Sequence, residues 1–123
     1  MTLEITKQSL EKWHHMIQSN DLSNLNDLLA DEVVFHSPVA YKPYEGRQVV
    51  FFILTNVIQV FQNFTYHREF YTEDGENVVL EFSANVGDKS LKGIDMIRFN
   101  EQGKIVDFEV MIRPMSGLAA LAE

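Results

Sequence analysis

Residues 92–114, KGIDMIRFNEQGKIVDFEVMIRP, constrain the fold more than any other stretch of the chain. Two runs rich in Ile, Val, Met and Phe, at 94–99 and 105–112, are interrupted by Asn100, Glu101, Gln102 and Gly103, the pattern of a β-hairpin. Successive side chains of a strand point to opposite faces, so Phe108, Val110 and Ile112 share one face while Asp107, Glu109, Met111 and Arg113 share the other. With residues 100–103 as the connection, Phe99 sits opposite Lys104 and Asp95 opposite Phe108, on the apolar face. A connection one residue shorter turns every side chain over. In the first register a lone carboxylate points into the core, and Asp95 is then the most informative chemical group in the sequence.

The rest of the chain supplies what such a hairpin packs against. Thr6 is placed to cap a helix, with Ile5 and Leu10 as a hydrophobic staple, and Leu10, Trp13 and Ile17 form its apolar stripe beside Met16. Asp21 is placed to cap a second, short helix that buries Leu22, Leu25, Leu28 and Leu29. Val33, Val34 and Phe35 read as a short strand running into His36, Ser37 and Pro38, and residues 38–46, with two prolines and two tyrosines, as a loop at the rim of any pocket. Val50, Ile53, Leu54, Val57, Ile58 and Phe61 recur at helical spacing and predict a third helix from Arg47 to just before Asn63. Residues 64–71 read as a strand, residues 73–76 as a turn, and Val78, Leu80, Phe82, Ala84 and Val86 as the inward side of a second strand. The closing MSGLAALAE is helix-prone but too short to stand undocked. The expected fold is α+β, a cone of three N-terminal helices packed on a strongly curved, mostly antiparallel sheet, as one domain over residues 1–123.

Composition narrows the partners. Ten basic residues against eighteen acidic ones leave a net charge of −8 with no basic cluster, so nucleic acid and anionic membranes are not expected partners. There is no cysteine, and the first residues, MTLEITKQSLEKW, lack a basic start followed by an apolar run; a cytoplasmic setting is expected. The longest apolar run, residues 49–54, is far below the ~20 residues that span a bilayer.

Several short stretches carry a resemblance: Asn20-Asp21-Leu22, Phe35-His36-Ser37-Pro38-Val39, Glu45-Gly46, and Ile94-Asp95-Met96-Ile97-Arg98-Phe99 running into Gly103-Lys104-Ile105. In these and in element order the chain resembles the fold family of nuclear transport factor two, which includes ketosteroid isomerase, scytalone dehydratase, limonene epoxide hydrolase and the SnoaL-like polyketide cyclases. The resemblance implies a conical pocket and a homodimer formed through the outer sheet face. Laid over ketosteroid isomerase, Asp95 resembles its protonated, oxyanion-binding aspartate. Trp13, however, stands where that enzyme has its oxyanion tyrosine, and Ser37 where it has its general base, so steroid isomerisation is not expected. Epoxide hydrolysis is not expected either, since no carboxylate accompanies Phe108, Val110 and Ile112.

Two readings of Asp95 follow. It is either a buried acid of raised pKa that gives a proton or hydrogen bond to a carbonyl oxygen, or a carboxylate satisfied by a tyrosine, Trp13 or backbone groups in an inert pocket. His36 is the available alternative base. His14 and His15, adjacent on a helix, point about 100° apart, and no His/Asp/Glu spacing suggests a metal, so neither metal nor cofactor is expected. The ligand pocket is expected to draw on Trp13, Ile17, Ser37, Val39, Tyr41, Tyr44, Phe82, Ile97, Phe108, Val110 and Ile112. That lining suits a small hydrophobic molecule with one polar atom, acted on by an isomerase-, cyclase- or dehydratase-like proton transfer or simply bound. The alternative is a dimerisation module whose pocket is inert, pairing through Glu109, Met111 and Arg113.

Overall fold

The hairpin at residues 92–114 forms, and further strands extend it into one sheet in the computed structural model, which describes residues 2–122. Strand β5 (Lys89–Phe99) and strand β6 (Ile105–Arg113) are its arms. The connection is one residue longer than predicted. Asn100 N–H donates to Lys104 O at 2.9 Å, and Phe99 pairs with Ile105. A bulge beyond that pair adds a second one-residue offset, so that Arg98 pairs with Asp107 and Asp95 with Val110 rather than Phe108. Two such offsets restore the original face, and burial alternates along β5 so that Leu91, Gly93, Asp95, Ile97 and Phe99 all point inward.

Strand β1 (Leu29–His36) lies parallel to β6, the two-residue strand β2 (Tyr44–Glu45) pairs antiparallel with β1, and strand β3 (Gln62–Tyr71) pairs with strand β4 (Asn77–Val86), which pairs with β5. The six-stranded order is β2-β1-β6-β5-β4-β3. Bulges in β3 and β6 help curve this mixed sheet strongly.

Helix α1 (Thr2–Ser19) lies along the inner face and buries Leu10, Trp13 and Met16. It begins before Thr6, which is therefore no cap. The Thr6 hydroxyl instead donates to Gly75 O and the Ser9 hydroxyl to Gly103 O, each at 2.6 Å, tying the helix to two hairpin turns. Both glycines need to be glycine: φ is +75° and +78°, and a Cβ on Gly103 would come 2.6 Å from Ser9 Oγ.

The second expected helix is only a 3₁₀ turn, Leu25–Asp27, and Asp21 accepts from Ser23 N–H rather than capping a helix. Leu22, Leu25, Leu28 and Leu29 are buried as expected, but Leu29 already opens β1 and pairs with Ile105. Core burial is satisfied by either conformation, and strand pairing with β6 decides between them. Helix α2 (Arg47–Val60) buries Val50 and Leu54. The tail forms helix α3 (Met115–Ala122), docked on β4, β5 and β6 with Gly117 against Leu91. No helix among the described residues is long and apolar enough to cross a membrane.

Candidate functional site

Between α1, α2, α3 and the inner face of the sheet lies a cavity of about 200 Å³. Phe82, Phe108, Val110 and Ile112 contribute the sheet side, Leu54, Val57 and Ile58 the α2 side, Phe61 the end of that helix, Phe64 the start of β3, and Leu121 the C-terminal helix. Phe64 and Phe82 stack at 4.8 Å between centroids, and Trp13 meets Phe108 edge-on at 5.4 Å. Almost all of the surface facing this space is therefore hydrocarbon.

Among the described residues Asp95 is the one ionisable residue on the wall, and it is 4% exposed. Its Oδ2 accepts a hydrogen bond from the Tyr66 hydroxyl at 2.6 Å, and Tyr66 Oη in turn accepts from Trp13 Nε1 at 2.8 Å. Burial raises the Asp95 pKa from its ordinary 3.8 to about 7, with the Tyr66 bond pulling against that rise. Tyr66 is pushed well above 10, chiefly by burial and then by the neighbouring Asp95, so it stays a phenol. With its O–H donating to Asp95 and a lone pair accepting from Trp13, Tyr66 positions the carboxyl and has no further proton to offer a ligand. The other carboxyl oxygen, Oδ1, has no hydrogen-bond partner among the described residues. Ser37 also lines the cavity; its Oγ accepts from Val39 N–H at 3.2 Å, leaving the hydroxyl proton free to donate.

The structure thus brings together Asp95, Trp13, Ser37, Val39, Phe82, Phe108, Val110 and Ile112. It does not bring the rest. His36 is on the opposite face of the sheet, its Nε2 3.1 Å from Asp107 Oδ1, because it neighbours the inward Ser37 on extended chain and must point the other way. Ile97 is inward but sits in the packed core, away from the cavity, and Ile17 packs partly buried against that same core. Tyr41 is fully exposed, and Tyr44, paired with Phe35 on the short edge strand β2, is 39% exposed and lies outside the cavity lining. Among the described residues no group of three or more His, Cys, Asp or Glu is placed to hold a metal.

Tyr66 is the partner of Asp95 that the sequence did not identify, and its strand explains why. Counting regularly from the Tyr71–Val78 pair would set Tyr66 opposite the outward Ser83. A bulge between Tyr66 and Glu69 sets it opposite the inward Phe82 instead. The only signal was its type, a phenol in an aromatic run beginning at Phe64.

A curved sheet wrapped with helices around an apolar cavity, with one acid in the wall, defines an α+β protein of the nuclear transport factor two type. The chain belongs to the SnoaL-like family: residues 10–108 match the SnoaL-like domain. It is similar to the crystal structure of a steroid delta-isomerase from Pseudomonas aeruginosa, with 56% identity over 96% of this chain and 86% of that one and a TM-score of 0.94. It is also similar to an uncharacterised bacterial protein with a cystatin-like fold from Silicibacter pomeroyi, with 37% identity over 93% and 79% of the two chains and a TM-score of 0.86. An NTF2-like protein of unknown function from Mesorhizobium loti shares the fold at 20% identity over 93% and 95% of the chains, with a TM-score of 0.81. No curated protein matches the chain.

Proposed function

We propose that this chain binds a small, neutral, largely apolar molecule bearing one carbonyl oxygen and shifts a double bond in it, with Asp95 taking a proton from carbon and returning it elsewhere. The observation that carries this reading is the isolation of Asp95, among the described residues a single buried carboxyl on a hydrocarbon wall with one oxygen held by Tyr66 and the other without a hydrogen-bond partner. Ionised, it removes a proton from the carbon beside the carbonyl; the electron pair moves into the conjugated enolate. Now neutral, it returns that proton to the far carbon of the same system and is a carboxylate again, so the charge in the cavity is the same before and after. A pKa of about 7 suits both halves, since a base most effective at neutral pH titrates there. The Ser37 hydroxyl is the donor available to the developing oxyanion.

The similarity to a structure described as a steroid delta-isomerase supports a double-bond shift as the reaction class. The cavity's size supports a smaller substrate: at about 200 Å³ it is only modestly larger than the ~150 Å³ engineered cavity that takes one benzene. One or two rings fit that space. The reaction needs no cofactor, because the carboxyl recovers its own state in each turnover. His36, turned to the other face, has no part in it.

The outer sheet face pairs two copies in this reading. Met96, Met111 and Phe70 are 39%, 47% and 52% exposed there, more apolar surface than a strand face turned to water would carry.

The test is conversion of 3-cyclohexenone to its conjugated isomer, followed by the rise in ultraviolet absorbance. Wild-type protein should accelerate it and Asp95→Asn should not, while both should be stabilised against heat by the product. Wild-type turnover no faster than buffer would remove the catalytic half; no thermal shift with any small cyclic ketone or phenol would remove the binding half.

A further inference from the structure

Val49, Phe52, Asn56 and Val60 recur at three- and four-residue spacing along α2 and so form one stripe on that helix. The stripe's C-terminal half belongs to the cavity, since Asn56 and Val60 line it. Its other half lies outside and stays apolar, with Val49 46% and Phe52 67% exposed. The polar side chains alongside are folded back on the helix: the Thr55 hydroxyl donates to Phe51 O at 2.8 Å and Asn56 Nδ2 to Phe52 O at 2.6 Å. Val39 and Val60, about half exposed and yet part of the cavity wall, mark the mouth from which the stripe departs.

We propose that the natural ligand is longer than the cavity: its ring sits against Asp95, and an alkyl chain leaves by the mouth and lies along Val60, Phe52 and Val49. This rests on the reading of the cavity as a site for a small apolar molecule and adds to it a subsite outside. Three observations select the chain as occupant. The stripe is continuous with the cavity wall, so one molecule can cover both. The cavity, at about 200 Å³, ends the ligand after one or two rings if nothing continues outside. The rise from Val60 to Phe52 is about 12 Å, the reach of a medium alkyl chain. A net charge of −8 disfavours an anionic membrane as the occupant.

The experiment is calorimetric titration with para-alkylphenols, from methyl to octyl, into wild-type protein and into a Val49→Ser/Phe52→Ser double variant whose changes are both exposed and outside the cavity. Wild-type affinity should rise by about two-fold for each methylene beyond the length that fills the cavity, roughly half of what full burial gives on a logarithmic scale. The double variant should bind para-cresol as wild type does and show no further rise once the chain extends past Val60, which it keeps. A wild-type affinity that levels off once the cavity is full, or a rise past Val60 that survives in the double variant, overturns the chain subsite and leaves the cavity reading intact. Failure of para-cresol itself to bind overturns both. A double variant that sediments at lower mass than wild type would make the stripe a contact between copies and would likewise overturn the proposal.

Discussion

The Tyr66 hydroxyl donates to Asp95 Oδ2 at 2.6 Å, joining residues 29 positions apart in the chain through two neighbouring hairpins. Tyr66→Phe removes that donor and also leaves Trp13 Nε1 without its acceptor. A loss of about 2 kcal/mol in unfolding free energy is expected, the cost of unpaired buried polar groups. The Asp95 pKa should rise further, because the Tyr66 bond is what opposes burial there. Chemical denaturation and an NMR titration of the Asp95 carboxyl check the two effects separately; a pKa that falls on substitution contradicts the assigned role.

Stability should depend on pH through Asp95 in an unusual direction for an aspartate. Its folded-state pKa of about 7 lies above its ordinary 3.8. Below the lower value both folded and unfolded chains hold the proton, and the buried neutral acid costs nothing extra. As pH rises through this window the unfolded chain ionises first, so stability from this group is lost and then levels off above about 7. At about 1.4 kcal/mol per pH unit the full loss is on the order of 4 kcal/mol. Asp95→Asn should flatten that part of the wild-type curve and be the more stable protein at pH 8, as unfolding in urea at several pH values would measure.

Catalysis should respond to the same group in the opposite sense. In the proposed reaction the ionised carboxylate removes the proton, so kcat/KM should rise with pH and level off near 7. A rate that instead falls above neutrality would assign Asp95 the part of a neutral hydrogen-bond donor and leave the base unaccounted for.

Gly103→Ala tests how α1 is held. The position has φ of +78°, and an added Cβ would meet Ser9 Oγ at 2.6 Å and Ile5 Cγ2 at 2.7 Å. Backbone strain and displacement of the Ser9 contact together should cost about 2 to 3 kcal/mol. The control is Gly87→Ala, which shares a positive φ of 61° but has nothing within 4 Å. It should cost only about 1 kcal/mol in the same melts.

Met111→Arg probes pairing through the outer face. Met111 is 47% exposed, so the substitution should leave the unfolding midpoint of a dilute sample nearly unchanged. In the dimer reading it shifts the sedimenting species at micromolar concentration from dimer to monomer. Wild-type protein that already sediments as a monomer removes that reading.

Local pattern in the sequence was enough for the α+β class, the central hairpin, α2 and the inward face of β4. Each rests on periodicity over many residues, and burial of a whole face tolerates small errors in register. The inward direction of Asp95 was legible for the same reason, although its cross-strand partner was not: a longer connection and a bulge shifted the pairing by two residues and preserved parity. What the tertiary structure alone decided depends on single residues and on contacts distant in sequence. A bulge in β3 turned Tyr66 inward, Thr6 left its expected cap for Gly75 O, and β1 claimed Leu29 from a helix. His36 and Asp107 met on the far face, and the C-terminal helix brought Leu121 to the cavity. Periodicity says which face of an element is apolar, but the identity of the one group that satisfies a buried carboxyl is set only when separate strands are assembled side by side.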